Sequence, residues 1–308
     1  MNKLKNIFTI ILLFLIIYFI FKYNYLLKTS VIDSVTLWLT KVFPSLFIMF
    51  VLNNLIIGTN ILNNYTYIIN KIFNKIFNTT GLSFQAFLLS LFSGTPTSAF
   101  ILKEMLENKL ITTKAANKLI GFTYFSNPLF LYNILSLSFN NYITIKIILI
   151  HYLSNIFIGL ILRKNKELDI LQKNIPSQSK NIFLLLPEAI TKSINTLLMI
   201  LGTITFYMII TNIIIKIFPL NNLSQITIKG IFEITQSLNS LTTINIPSII
   251  KEIIAISIIS FGGLSIHTQV IALLSDTKIS YKNFLIGRIF HLFISTNTYI
   301  LLYFILPS

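Results

Sequence analysis

Residues 182–218 are apolar almost throughout, broken by Pro187, Glu188 and Lys192 and later by Gly202. Residues 142–162 and 284–306 are further runs of this kind. About 20 apolar residues suffice for a helix to cross a hydrocarbon core roughly 30 Å thick. Composition removes the soluble alternative: of 308 residues, 54% are hydrophobic and 11% charged, whereas an ordinary soluble domain carries roughly 25% charge. So few charges cannot cover a globule of this size. The fold class is an all-α polytopic membrane protein.

The same composition narrows the chemistry. Cysteine is absent, which excludes disulfides, iron–sulfur clusters and a thiol nucleophile. The three histidines, His151, His267 and His291, lack metal-ligand spacing, so neither a metal nor a cofactor is expected. No P-loop or dinucleotide fingerprint occurs. The formal charge of +15 comes from 22 Lys and two Arg scattered between apolar runs. That pattern suits loops near anionic lipid headgroups and not a nucleic-acid patch. An excess of Lys, Ile and Asn is also what an AT-biased coding sequence produces. Expected partners are therefore membrane lipids and a small anionic solute, with no nucleic acid; a homo-oligomer is left open.

Along the chain, residues 1–28 read as an uncleaved anchoring helix and 163–180 as a basic linker carrying Arg163, Lys164, Lys166, Lys173 and Lys180. They separate a first half, 29–162, from a second, 181–308. Residues 60–80 are amphipathic and suit the membrane interface. Residues 82–92 are apolar but span about half the length a crossing needs, and stop at Ser93-Gly94-Thr95-Pro96-Thr97-Ser98. Residues 249–261 are similarly short and stop at Gly262-Gly263. Aligning Gly94 with Gly262 brings Ile111-Thr112-Thr113-Lys114 opposite Ile279-Ser280-Tyr281-Lys282. Upstream, in a shifted register, Phe47-Ile48-Met49 resembles Phe206-Tyr207-Met208, with Asn53 matching Asn212. The expectation is two related halves with Gly-broken, re-entrant helices and roughly eight membrane segments.

Two short Gly-interrupted segments in corresponding places are the sequence pointer to a transporter site. A half-helix ending in the membrane frees backbone groups, and the next half-helix offers N–H donors and a positive dipole to an anionic solute. Candidate solute contacts are Ser93, Gly94, Thr95, Thr97, Ser98, Asn127, Glu233, Gly262, Gly263, Ser265, His267 and Gln269. Each hydroxyl can instead bond back to its own helix, and Asn127 before Pro128 suits patching a break. Glu233, flanked by Phe232 and Ile234, is a carboxylate at membrane depth: a proton carrier, a site organiser or a solvated loop residue. His267 is a solute donor, a titrating group or a core histidine. Arg288 and His291, one turn apart, suit a shared cavity, with snorkelling as the other reading of Arg288.

Phe43-Pro44-Ser45-Leu46-Phe47, Ser93-Gly94-x-Pro96, the stretch FSNPLF (125–130) and FGGLSIHTQV (261–270) resemble the YlbJ (SpoVV) family of sporulation integral membrane proteins, with nucleoside-transporter-like gate segments. Arg288-x-x-His291 and Gly230-x-x-Glu233-x-Thr235 also match. The resemblance implies a transporter of dipicolinate in the outer forespore membrane, or in a bacterial cell membrane where no spore forms. The family's SGYPxGAK-like stretch reads SGTPTSAF here, losing an aromatic at Thr95, a Gly at Ser98 and a cation at Phe100, and the Gly after Glu-x-Thr is Ser237; these changes bear on the substrate. The function expected is a secondary transporter or facilitator of a small anionic aromatic solute, without catalytic residues. The alternatives are a nucleoside-like solute, an intramembrane enzyme using Glu233 with His267 or His291, and a non-transporting scaffold.

Overall fold

The computed structural model describes residues 21–59, 61, 66–79, 81–164 and 181–305, with isolated helical positions before residue 20. Residues 165–180, most of the expected basic linker, lie outside the described residues, as does much of 1–20. Every described element is a helix, and no strand occurs among the described residues.

The first element is one continuous helix of 36 residues, Asn24–Thr59. It comprises α1 (Asn24–Leu37), a wider turn over Trp38–Val42, and α2 (Phe43–Thr59). It runs through the boundary expected at residue 28. Pro44 does not interrupt it, because it falls in the first turn of α2, where the wider turn already displaces the hydrogen-bond ladder. Then come α3 (Thr66–Phe77), α4 (Gly81–Ser93), α5 (Thr97–Glu107), α6 (Thr113–Leu119), α7 (Pro128–Leu135) and α8 (Asn141–Ile161). The later part has α9 (Ile182–Ile217), α10 (Asn222–Phe232), α11 (Ile234–Ser240), α12 (Ser248–Phe261), α13 (Gly263–Leu274) and α14 (Tyr281–Ile305).

Asparagine starts several of these helices. Asn127, Asn140, Asn181 and Asn221 each accept a backbone N–H of the first turn of α7, α8, α9 and α10, at 2.8–3.0 Å. Such caps satisfy donors that the helix itself leaves unpaired.

Five helical stretches are long and apolar enough to cross a membrane: Asn24–Thr59, Asn141–Ile161, Ile182–Ile217, Ser248–Leu274 and Tyr281–Ile305. These are the candidate spans among the described residues, against roughly eight membrane segments expected; the apolar residues of 81–135 are divided among helices too short to span. The amphipathic segment 60–80 contains α3, which buries Phe73 and Phe77 against α4 and α8 and exposes Lys71 and Lys75. It is packed on the bundle and not only laid on an interface.

The two 36-residue helices lie antiparallel along their length. Asn212 donates to Ser30 Oγ at 2.8 Å, Ser34 and Thr205 share a hydroxyl hydrogen bond of 2.7 Å, and Trp38 donates to Leu197 O at 3.1 Å. Farther along, Asn54 donates to Ser193 Oγ at 3.2 Å, and Gly58 approaches Leu185. These four hydrogen bonds fix the register in a seam where apolar packing alone is weakly directional.

Candidate functional site

Four helix interruptions meet in the core. Gly94, at φ +80°, ends α4, and a cis Thr95–Pro96 bond leads into α5. Residues 120–127 separate α6 from α7. Glu233 is extended (φ −146°, ψ 118°) between α10 and α11. Gly262, at φ +93°, joins α12 to α13. The left-handed φ of Gly94 and Gly262 is strained for residues with a Cβ. Space excludes one as well: a Cβ on Gly94 would strike the backbone of Asn127, and one on Gly262 the Tyr124 hydroxyl. Gly263 meanwhile lies against the carbonyls of Gly230 and Phe232. The 94–96 tip therefore packs on the 120–127 break, and the Glu233 tip on the Gly262 joint.

A cavity of about 40 Å³ lies between them, lined at its polar side by Thr95, Ser126, Asn127, Glu233, Thr235 and Gln269. Ile200, Ile204 and Ile266 are among its apolar walls. It has room for ordered water and is much smaller than the roughly 300–1,000 Å³ of a small-molecule pocket.

The expected site residues divide around this cavity. Thr95, Asn127, Glu233 and Gln269 line it. Asn127 is already engaged: Oδ1 caps α7, and Nδ2 donates to Phe92 O at 3.1 Å and Ser45 O at 3.4 Å. Glu233 caps α11, its oxygens accepting from Thr235 Oγ1 at 3.0 Å and Gln236 N at 2.7 Å. It is 2% exposed, which rules out the solvated-loop reading. Gln269 donates to Thr203 Oγ1 at 2.7 Å and to Ser265 Oγ at 3.2 Å.

Ser93 sits behind the tip, bonded to Leu89 O and to Asn53 Nδ2. Thr97 and Ser98 are buried in the first turn of α5, and neither hydroxyl has a hydrogen-bond partner. Thr97 faces a separate gap beside Phe50, Asn54 and Thr196.

His267, Arg288 and His291 do not line the cavity. His267 Nε2 donates to Phe261 O at 3.1 Å, and Nδ1 accepts from the Tyr281 hydroxyl at 2.7 Å. Both ring nitrogens are thus used to brace the Gly262 joint. Arg288 is fully buried, so it does not snorkel. Its Nη1 donates to His291 Nδ1 at 2.9 Å and its Nη2 to Asn155 Oδ1 at 3.0 Å, and its guanidinium carbon lies 3.8 Å from the Tyr124 ring centroid. His291 Nε2 donates to His151 O at 2.9 Å, and His151 Nε2 accepts from Ser126 N at 3.1 Å. No carboxylate among the described residues pairs with Arg288. No group of three or more acidic or histidine side chains among the described residues is placed to hold a metal.

The sequence reading missed several contributors: Ser126 and Thr235 on the cavity wall, Tyr124 stacked on Arg288, and His151 and Asn155 beneath it. His151 and Asn155 carried a readable signal, two polar side chains one turn apart within an otherwise plain spanning run. Asn212 likewise accepts from Gln236 Nε2 at 2.8 Å, as Asn53 donates to Ser93. Each long helix thereby holds one tip by an asparagine.

No family model matches the chain, and no solved structure matches it. Its sequence is similar to the sporulation integral membrane protein YlbJ of Bacillus subtilis (strain 168), 27% identical over 295 residues, covering 83% of this chain and 72% of that protein. The protein is membrane-embedded, and the similarity supports its membership in the YlbJ family of integral membrane proteins.

Proposed function

We propose that the protein is a secondary transporter or facilitator for a small anionic aromatic solute of the dipicolinate kind, acting in sporulation at the outer forespore membrane. The observation that carries this reading is the buried cavity at which the 94–96 and Glu233 tips converge. Interrupted helices are tolerated at membrane depth where they line a wet cavity or are packed by protein, and paired interruptions mark transporter sites. At about 40 Å³ the cavity is too small for such a solute, so its binding needs one tip to withdraw.

A second matching of the proposed halves stands beside the Gly94–Gly262 register. The geometry supports matching Asn24–Thr59 with Ile182–Ile217, the Gly94 tip with the Glu233 tip, and the Asn127 break with the Gly262 joint. The asparagines Asn53 and Asn212 then do the same work in each half.

Flux into proteoliposomes tests the function, with dipicolinate and a nucleoside each supplied with and without a proton gradient. Dipicolinate uptake that falls at least tenfold in Glu233→Gln is the expected result. His267→Ala, which removes a brace outside the cavity, should lower the unfolding midpoint more than it alters solute preference. Nucleoside uptake instead of dipicolinate would replace the cargo. No uptake of either by folded protein would overturn transport.

A further inference from the structure

We infer, resting on the proposed transport for the class of solute, that the amino end of α5 binds a carboxylate of that aromatic solute, in the gap between α5 and the two long helices. A helix start carries N–H groups without helical partners and a partial positive charge. Most starts in the core are already occupied. Asn127 caps α7 and Glu233 caps α11. No side chain caps α13, but the carbonyls of Gly230 and Phe232 face its start at Gly263. No side chain caps α5 either, and its cap position is Pro96.

The first turn of α5 shows a second sign of a missing partner. Thr97 and Ser98 are 2% and 1% exposed, and neither hydroxyl makes a hydrogen bond. A buried hydroxyl left this way is costly, and a native fold rarely keeps one without a use. Thr97 lines the gap together with Phe50 and Asn54 of α2, Thr196 of α9 and Phe100. The other polar side chains of that lining already donate elsewhere. Asn54 donates to Phe50 O at 3.0 Å and Ser193 Oγ at 3.2 Å, and Thr196 to Lys192 O at 3.0 Å. The free hydroxyl in the gap is therefore that of Thr97.

A carboxylate suits this lining, because its oxygens accept from the hydroxyl and from first-turn amides together. No acidic residue lines the gap. Glu233 borders the neighbouring cavity with Thr95 and Pro96, so the tip itself stands between that acid and the solute's charge. Phe50 and Phe100 supply apolar walls for an aromatic ring. The gap is closed, with no room for a water molecule; it opens when α5 draws away from the long helices, the same withdrawal of a tip that solute binding requires.

The test measures binding of dipicolinate and of its neutral diamide to the full chain in detergent by isothermal titration, separately from uptake. The diamide should bind about tenfold more weakly than dipicolinate. Thr97→Val, which keeps the side chain's shape, should weaken dipicolinate about tenfold. Its unfolding midpoint should be unchanged or higher, since the hydroxyl removed has no partner in the fold. Thr97→Ser retains a hydroxyl and should bind as the unaltered protein does, as should Thr196→Val. Absence of dipicolinate binding, equal binding of the diamide, or equal effects of Thr97→Val and Thr196→Val would overturn the site. A lower midpoint in Thr97→Val would overturn it too, by giving the hydroxyl a structural role. Binding that depends on Thr97 without uptake in proteoliposomes would keep the site and remove transport; uptake indifferent to Thr97→Val would keep transport and remove the site.

Discussion

Asn127 illustrates how one side chain can hold a break together. Its oxygen caps α7 while its nitrogen serves two carbonyls from different segments, Phe92 O and Ser45 O. Asn127→Ala removes a cap worth about 1 kcal/mol and strips buried carbonyls of their donor, about 1–3 kcal/mol more. Thermal unfolding in detergent should show a loss of about 2–4 kcal/mol, and an unchanged midpoint would sink the assignment. At this scale the sequence was partly legible. The pattern Asn127-Pro128 suited a patched break, and that is the side chain's use here. Other asparagines were read as coding bias, although Asn140, Asn181 and Asn221 cap helices. His267 and Arg288 stood out because they are titratable in an apolar run, but residue type cannot say whether such a group faces a cavity or braces a joint.

Helix interruptions were legible where glycine made them. Gly94 and Gly262 both occupy the left-handed region and both lie against another break. The Glu233 break was not recognised as one, because Phe232-Glu233-Ile234 contains neither Gly nor Pro; the chain there is extended, and the glutamate restarts the helix by capping it. Gly94→Ala would combine strain of roughly 1–2 kcal/mol with a clash against backbone, which no rotamer relieves. Uptake and unfolding midpoint should both fall. Gly202→Ala, in the interior of α9 with nothing near its Cβ, should be neutral or stabilise by up to about 1 kcal/mol. Equal behaviour of the two variants would remove the steric account of the tip.

For the whole molecule, apolar run length identified a polytopic helical protein but not which apolar stretches form helices of spanning length. Residues 81–135 are apolar enough for spans yet are spent on short helices, and their folding back depends on tertiary partners such as Asn53, Tyr152 and Lys118. The antiparallel pairing of Asn24–Thr59 with Ile182–Ile217 was equally invisible, since polar contacts spaced along a seam leave no periodic signature. The absence of native cysteine makes this pairing testable. Ser34→Cys with Thr205→Cys, at positions whose hydroxyls are 2.7 Å apart, should form a disulfide on oxidation. If the tips move against a fixed scaffold, uptake survives that cross-link; loss of uptake on oxidation, restored by reduction, would mean that the long helices slide.

The length of those two helices carries a mechanical consequence. Thirty-six residues make a rod of about 54 Å, against a hydrocarbon slab of roughly 30 Å. Even a lean of about 40° leaves each rod projecting over some 41 Å of depth. The rods are therefore longer than an ordinary hydrocarbon core is thick, and ion-paired Glu188 and Lys192 mark where the second rod leaves it. Each rod grips one tip through an asparagine, so a tilt of either rod is carried to the tip it holds, much as a frame's warp is carried to its doors.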